Sequence, residues 1–545
     1  MTPIAYRQQE KPLHEYLRQH ARTQPDKPAF IWYGSAISWA QLDQMSDSFA
    51  CQLQQRGVVK GDRVALFMQN CPQYVIAHIG IQKLGAVVGP CSPLFKGHEL
   101  EYQLSDLGAK VIVAADVLYE IVQAARPKTA IENVFLTHYA DLLPAQPTID
   151  LPAEIDTPKR HIEGTTDFLD CLRTPLHTPL PAPDVGPLDM DDVALMTYTS
   201  GTTGLPKGAM LTYRNALFKA HAAADNNPIR DDDTMLAVAP LNHIAGMLIG
   251  LNVTLYTGIP CVLLYRFDPV QVLQALARYR VTWWYSVASM NAAVMQVEGA
   301  REYDLSALRI NPSTSFGISI NQALAEQWRG FAPQCQLFEV TYGMSETHTW
   351  DTSMPVDAIK WGAHGIPIQG VECRVIDAGT GQDLPAGQVG ELVLRSPGNF
   401  KGYWNKPEAT ASTLKDGWVH TGDMAKIDSD GYLTFAGRFK EMIKVSGYSV
   451  FPEEVESIMI KHPSVAQVAV IGIDDAHKGQ AVKAVVIARK GAPAVSAQQL
   501  IDWCREQMSV YKAPREIEFR EALPTTGTGK VLRRLLKEPQ KASAA

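Results

Sequence analysis

Between Tyr198 and Gly208 the chain reads Tyr-Thr-Ser-Gly-Thr-Thr-Gly-Leu-Pro-Lys-Gly, eleven residues that combine hydroxyls, three glycines and one lysine. That set suits a polyanion. Glycine lets the main chain come close to phosphate, so that N–H groups of Gly201 and Gly204 converge on it, while Thr199, Ser200, Thr202 and Thr203 add hydroxyls and Lys207 adds a mobile positive charge. A flexible surface turn would account for a shorter run of this composition. The preceding Val193-Ala-Leu-Met-Thr-Tyr198 reads as a buried strand, so the loop leaves a sheet edge. It is not a Walker A loop, whose Gly-Lys is followed at once by Ser or Thr and a helix.

Four further stretches follow in order: Tyr342-Gly-Met-Ser-Glu346, His420-Thr-Gly-Asp423, Gly437-Arg-Phe-Lys440-Glu-Met-Ile-Lys444-Val-Ser-Gly447 and Pro524-Thr-Thr-Gly-Thr-Gly-Lys530. Together with the first loop they resemble the core motifs of the adenylate-forming superfamily of acyl-CoA synthetases, peptide-adenylating domains and luciferases. The resemblance implies a two-step reaction. A carboxylic acid with an ordinary pKa of roughly 4.3 is an unreactive anion at neutral pH. Its carboxylate attacks the α-phosphorus of ATP, pyrophosphate leaves, and a thiol, usually that of coenzyme A, then displaces AMP from the acyl-adenylate.

By the same resemblance, Tyr342 lies at the adenine face with Gly343 and Gly317 among the nucleotide contacts. Ser345 meets the α-phosphate, Glu346 holds Mg²⁺ through a hard oxygen, Asp423 takes the ribose hydroxyls, and Arg438 makes a second ribose or phosphate contact. Lys530 would bridge carboxylate and α-phosphate as a compact charge on a flexible stem. Lys440 corresponds to a hinge that removes Lys530 and brings in the segment Lys444 to Gly447 for thioester formation, with Gly447 leaving room for the pantetheine arm. Taken singly, Glu346 would be a solvated loop charge, Asp423 and Arg438 a surface ion pair, and Lys530 a tail lysine.

The acid is less sharply specified. His243, in Pro240-Leu-Asn-His-Ile-Ala-Gly246, resembles a histidine near the family's acyl site, and a satisfied core histidine is an equal alternative. Residues 239–250 contain no Asp or Glu to pair with an amino acid's ammonium. The apolar and aromatic segments Trp283-Trp284-Tyr285 to Met290 and Thr314-Ser-Phe316-Gly317 to Ile320 are candidate pocket segments for a fatty or aryl tail, although aromatic stripes more often fill cores. Three departures from the family pattern stand out: Phe316-Gly317-Ile318 where a Gly-Gly-Ala-Pro-like run is common, Tyr213 where histidine is frequent, and serine instead of threonine at 345. The leading expectation is a ligase for a medium- or long-chain fatty acid. Alternatives are an aryl or short specialised acid, a luciferase-like oxygenase, and a noncatalytic acyl or nucleotide sensor, which would have no need of Lys530, Glu346 and the whole loop.

These residues need a large scaffold. With 545 residues and 46% hydrophobic content the chain allows several packed units. Helix-like and strand-like segments alternate from Ala40 to about Gly431, with an irregular Pro/Thr/Asp-rich excursion over about 140–190. A shorter helix, strand, strand, helix unit follows Arg438. The expected fold is α/β: a large N-terminal domain of α/β subdomains, residues 1–437, and a small mobile α+β C-terminal domain, residues 438–545. The uncharged stretch Thr234 to Tyr265 is broken by Pro240, Asn242, His243 and Pro260, so it reads as a buried helix and a strand instead of a transmembrane segment. A net charge of −7 argues against a nucleic-acid partner. Eight cysteines without a CxxC pair, no signal peptide and no C-terminal address set the expectation of a cytoplasmic protein; a homodimer is admitted and not required.

Overall fold

Local signals place the elements where the alternation predicts them. Ser38 and Gln41 form a reciprocal cap at the start of helix Trp39–Gln55, the Ser38 hydroxyl accepting from the Gln41 N–H at 3.3 Å and the Gln41 side chain from the Ser38 N–H at 2.9 Å. Helix Pro72–Lys83 begins on its proline and is buried along its whole length, which explains why it lacks a polar face. The computed structural model describes residues 4–172, 186–199, 205–315, 319–445, 448–475, 479–526 and 530–537.

Two large sheets carry most of the chain. In one, the strands run in the order Thr166–Asp167, Asn133–Thr137, Val111–Ala115, Arg63–Phe67, Val87–Cys91, Val193–Thr199, Lys207–Thr212, parallel except for the last pair. The predicted buried strand before the phosphate loop is therefore present. It forms a hairpin with Lys207–Thr212 in which Thr199 faces Lys207. The other sheet pairs the early strand Pro28–Trp32 in parallel with Cys261–Leu263, Phe30 opposite Cys261. One hydrophobic core running from Leu13 to Val419 joins the two sheets. The uncharged stretch 234–265 forms strand Met235–Ala237, a continuous buried helical run from Ile244 to Thr257 whose middle turn, Leu248–Val253, is π-helical, and strand Cys261–Leu263. Among the described residues no helix is long and apolar enough to cross a membrane.

The α/β alternation ends earlier than the sequence pattern indicates. Strands Glu372–Ile376, Gly390–Arg395, Leu414–Lys415, Trp418–Ile427 and Leu433–Arg438 pair antiparallel, with helix Pro407–Thr413 beside them. Short turns such as Asp428 to Tyr432 close hairpins, and they are too short for the crossover that parallel strands require. Tyr213, which heads helix Tyr213–Asn226, is a core residue 2% exposed whose hydroxyl donates to the Gln82 carbonyl at 2.8 Å.

The C-terminal unit has its own sheet of strands Ile443–Val445, Tyr448–Val450, Val465–Asp475, Gly479–Ala488 and Glu516–Phe519. Helices Pro452–Met459 and Ala497–Gln507 cover one face. Leu536, 2% exposed, covers the other by packing with Ala469, Ile471 and Val485, a burial worth about 1.5–3 kcal/mol.

Candidate active site

Hairpin register sets the first pair of functional side chains. Strands Trp418–Ile427 and Leu433–Arg438 place Asp423 opposite Arg438. Asp423 is 3% exposed, and its Oδ2 accepts a hydrogen bond from the Tyr342 hydroxyl at 2.6 Å. Its Oδ1 lies 3.1 Å from Arg438 Nε yet receives no hydrogen bond. Burial raises the Asp423 pKa, and Arg438 and Tyr342 oppose that. A buried carboxylate oxygen without a donor is costly, and the hydroxyl of a bound ribose would satisfy it. The Tyr342 ring stacks at 6.3 Å on Phe435, from the same hairpin as Arg438.

Glu346 comes from a loop held by force. His348, Thr349 and Trp350 have φ of 58, 57 and 57°, three successive side-chain-bearing residues in the left-handed region. The buried pair of Lys219 and Asp351, 2.6 Å apart with both side chains at 0% exposure, sits beneath them. Lys219 also donates to the Trp350 carbonyl at 3.1 Å, and the Thr347 hydroxyl to the other Asp351 oxygen. Gly343 is required by the same loop, since a Cβ there would stand 2.4 Å from the Trp350 nitrogen. Ser345 opens the short turn Ser345–Thr347 and is half-buried. Glu346 is 6% exposed; Tyr403 donates its hydroxyl to Oε1 at 2.6 Å, and the Phe400 N–H bonds the Glu346 carbonyl at 2.8 Å. Lys207 Nζ rests 4.3 Å from the centre of the Tyr403 ring. Tyr403 thus joins the base of the phosphate loop to Glu346.

Lys530 reaches this group from the C-terminal unit. Its ammonium lies in the field of Arg438, Glu441, Asp423 and Arg533, and burial followed by Arg438 lowers its pKa. His243 feels Lys530 as well. It caps helix Ile244–Met247 by accepting from the Ala245 N–H at 3.4 Å, and burial, aided by Lys530, lowers its pKa to about 4, so the ring is neutral at pH 7. Lys444, on strand Ile443–Val445, is exposed, its main-chain N–H bonded to Gln480 Oε1 at 2.8 Å; Lys440 is exposed in the turn Phe439–Glu441. Tyr342, Gly343, Ser345, Glu346, Asp423, Arg438, Lys207, Thr199, Lys530 and His243 are therefore arranged around one region. Ser200, Gly201, Thr202, Thr203, Gly204, Gly317 and Gly447 lie outside the described residues.

Trp283 and Trp284, candidate pocket residues by sequence, are 0% exposed core residues, with Trp284 packed against Trp328. Tyr285 does face the site loop, its ring 6.1 Å from that of Trp350. The sequence reading missed three participants. Tyr403 carries no signal beyond an aromatic following a glycine. Lys219 is a lone lysine in an apolar helical run, which is a usable hint. Glu339 is buried and accepts from the Ser315 N–H at 3.1 Å and from its hydroxyl, fixing the start of the segment that leads to Gly317.

Among the described residues no group of three His, Cys, Asp or Glu side chains could cage a metal ion. One buried carboxylate, Glu346, fits a Mg²⁺ ion that takes its remaining ligands from phosphate and water.

The family described as AMP-binding enzyme matches residues 17–404, and its C-terminal domain matches residues 454–530. The chain is similar to a long-chain-fatty-acid–CoA ligase of Bacillus subtilis strain 168, 32% identical over 97% of this chain and 95% of that protein. It is also similar to a feruloyl-CoA synthase of an Amycolatopsis species, 33% identical over 94% of this chain and 96% of the other. Among solved structures, an anthranilate CoA ligase in complex with anthranoyl-AMP aligns over 96% of both chains with a TM-score of 0.85 and 28% identity.

Proposed function

Because this chain belongs to the AMP-binding enzyme family and is an acyl-CoA synthetase, we propose that it activates an apolar monocarboxylic acid, foremost a medium- or long-chain fatty acid, and passes it to coenzyme A. The observation that carries the residue assignment is the buried Asp423, bonded by Tyr342 and paired with Arg438, whose Oδ1 accepts no hydrogen bond and which lies in the field of the Lys530 ammonium. Tyr342 and Asp423 bind the nucleoside, and Arg438 pairs with Asp423, opposing the rise in pKa that burial causes. Lys207 and the hydroxyls that follow Thr199 take the β- and γ-phosphates. Lys530 draws the carboxylate oxygen and the α-phosphate together and stabilises the charge that develops as pyrophosphate leaves. His243, neutral, lies beside the reacting carboxylate as a hydrogen-bonding partner that adds no charge. A Mg²⁺ ion bound at Glu346 would supply charge neutralisation to the triphosphate.

For the second step, rotation at Lys440 of residues 438–545 against 1–437 would withdraw Lys530 and bring in the segment from Lys444 to Gly447 with the pantetheine thiol. The thiolate then attacks the acyl carbonyl and AMP departs. The exposed positions of Lys440 and Lys444 and the approach of Lys530 fit an arrangement set for the first step. Among the described residues no disulfide joins the eight cysteines, seven of them buried, which supports a reducing, cytoplasmic setting.

The similarity to a feruloyl-CoA synthase supports an aryl acid as the second reading. Pyrophosphate release with ATP and Mg²⁺ across fatty, aryl and amino acids, with and without CoA and with mass identification of the product, separates the two. Fatty acyl-CoA formation supports the first reading and turnover restricted to aryl acids the second. Pyrophosphate without thioester would overturn both.

A further inference from the structure

Lys530 sits in a segment of the small unit whose flanks, Leu523 and Val531, pack with Ala469, Ile471 and Val485. Main-chain hydrogen bonds close it, Thr526 N–H to the Lys530 carbonyl and Leu532 N–H to the Pro524 carbonyl, both 2.8 Å, and the Thr526 hydroxyl accepts from the Lys530 N–H at 3.1 Å. Three residues on, the half-buried guanidinium of Arg533 meets three carboxylates from two other segments. Its Nη2 donates to both oxygens of Glu456 at 2.9 Å, and its Nη1 pairs with Glu453 at 2.8 Å and with Glu441. Glu453 and Glu456 lie on helix Pro452–Met459, whereas Glu441 closes the turn Phe439–Glu441 that contains Lys440. Glu456 is itself fixed, accepting from the Val470 N–H at 2.7 Å.

The cluster also abuts the large unit. Gly437, with φ of 137°, precedes Arg438, and a Cβ there would stand 2.6 Å from Glu453 Oε2. A single guanidinium therefore links the Lys530 turn, the turn at Lys440 and a helix packed against the strand that presents Arg438. Only the planar fork of arginine serves three carboxylates in these directions; a lysine would be a point charge.

We propose that Arg533 is the positioning residue of Lys530: it makes the Lys530 turn rigid with the segment at Lys440, so that the ammonium arrives in register with Asp423 and Arg438 and moves as one body with the small unit. This rests on the reading that Lys530 serves adenylation. The Arg533 side chain touches no reacting atom in this role, so its loss falls on one half-reaction and spares the other, which a purely structural residue would not do.

The test compares wild type, Arg533→Gln, Arg533→Lys, Glu441→Gln and Lys530→Ala in two assays on the full chain: adenylation, by pyrophosphate exchange, and thioester formation from supplied acyl-adenylate. Arg533→Gln should lower adenylation on the order of 10- to 100-fold, as a misplacement of about 1 Å does, while thioester formation stays within about threefold of wild type. Thioester formation itself shows that the small unit is folded. Arg533→Lys should recover thermal stability and only part of the adenylation rate. Should Arg533→Gln fail to fold, Glu441→Gln carries the test, because it cuts the link to the turn at Lys440 and leaves Arg533 two partners. Normal adenylation by Arg533→Gln, or equal losses in both assays for Glu441→Gln and Arg533→Lys, overturns the proposal. A defect in Lys530→Ala beside a normal Arg533→Gln removes this inference alone; normal adenylation by Lys530→Ala removes its premise as well.

Discussion

The loop that presents Glu346 and the turn that presents Lys530 each deliver one charged side chain to the same region, and they are built in opposite ways. The first is locked into the core by a buried ion pair and forced through three left-handed residues. The second belongs to the small unit, tied to it by the Arg533 guanidinium and by Leu523 and Val531 packed against Ala469, Ile471 and Val485. Glu346, proposed to hold Mg²⁺-ATP from the large unit, is set in a rigid, strained frame. Lys530, proposed to serve one step and then leave, is made rigid with the body that carries it.

The strongest break of this contrast lies beneath the Glu346 loop. Lys219→Ala leaves Asp351 charged and unpaired in the core, and should cost about 3–5 kcal/mol in thermal or chemical unfolding and depress both half-reactions together. Replacing both partners, Lys219→Met with Asp351→Leu, should restore most of the stability, because the desolvation cost goes with the charges. A stable Lys219→Ala protein with one half-reaction intact would refute the rigid-frame account. A smaller effect is expected from Tyr403→Phe, which removes the donor to Glu346 Oε1 and keeps the ring under Lys207. The lost charge-assisted hydrogen bond, about 1.5–3 kcal/mol, should appear as weaker Mg²⁺-ATP binding by calorimetry, with thioester formation from supplied adenylate unchanged. Unaltered binding would show that Tyr403 does not orient Glu346.

The mildest test uses pH. Burial raises Glu339 from 4.5 to about 7, against the pull of the Ser315 hydrogen bonds. The folded state therefore keeps a proton that the unfolded chain has released. This contribution is fully present below about pH 4.5 and is lost as pH rises through 7. Glu339→Gln should accordingly flatten the fall in unfolding free energy between those values, by up to about 3 kcal/mol, read by chemical unfolding at each pH. An unchanged pH slope would mean that Glu339 is ionised in the fold.

Residues that stand in short motifs are legible as candidates. Tyr342, Asp423, Arg438 and Lys530 stand in short motifs, and helix Trp39–Gln55 announces itself by Ser38 and Gln41. Pairs closed by tertiary structure were not. Tyr403 and Glu346 are 57 residues apart, and Lys219 and Asp351 are 132 apart, so neither pairing leaves a periodic trace. The antiparallel sheet before Arg438 was misjudged for a related reason: alternating apolar residues specify a strand without specifying the direction of its partner. The π-helical turn after His243 likewise depends on packing that no propensity encodes.

The pairing of Phe30 with Cys261 carries a consequence for how the protein is made. Strand Pro28–Trp32 emerges from the ribosome long before its parallel neighbour, and at about 5–20 residues per second the interval is roughly 10 to 50 s. During that time the 28–32 segment has only the adjacent Ser35–Ser38 strand to pair with, and its other edge stays open. Biosynthesis therefore passes through a nascent chain that displays an unpaired apolar edge, which makes the first thirty-odd residues the natural place for a chaperone to act.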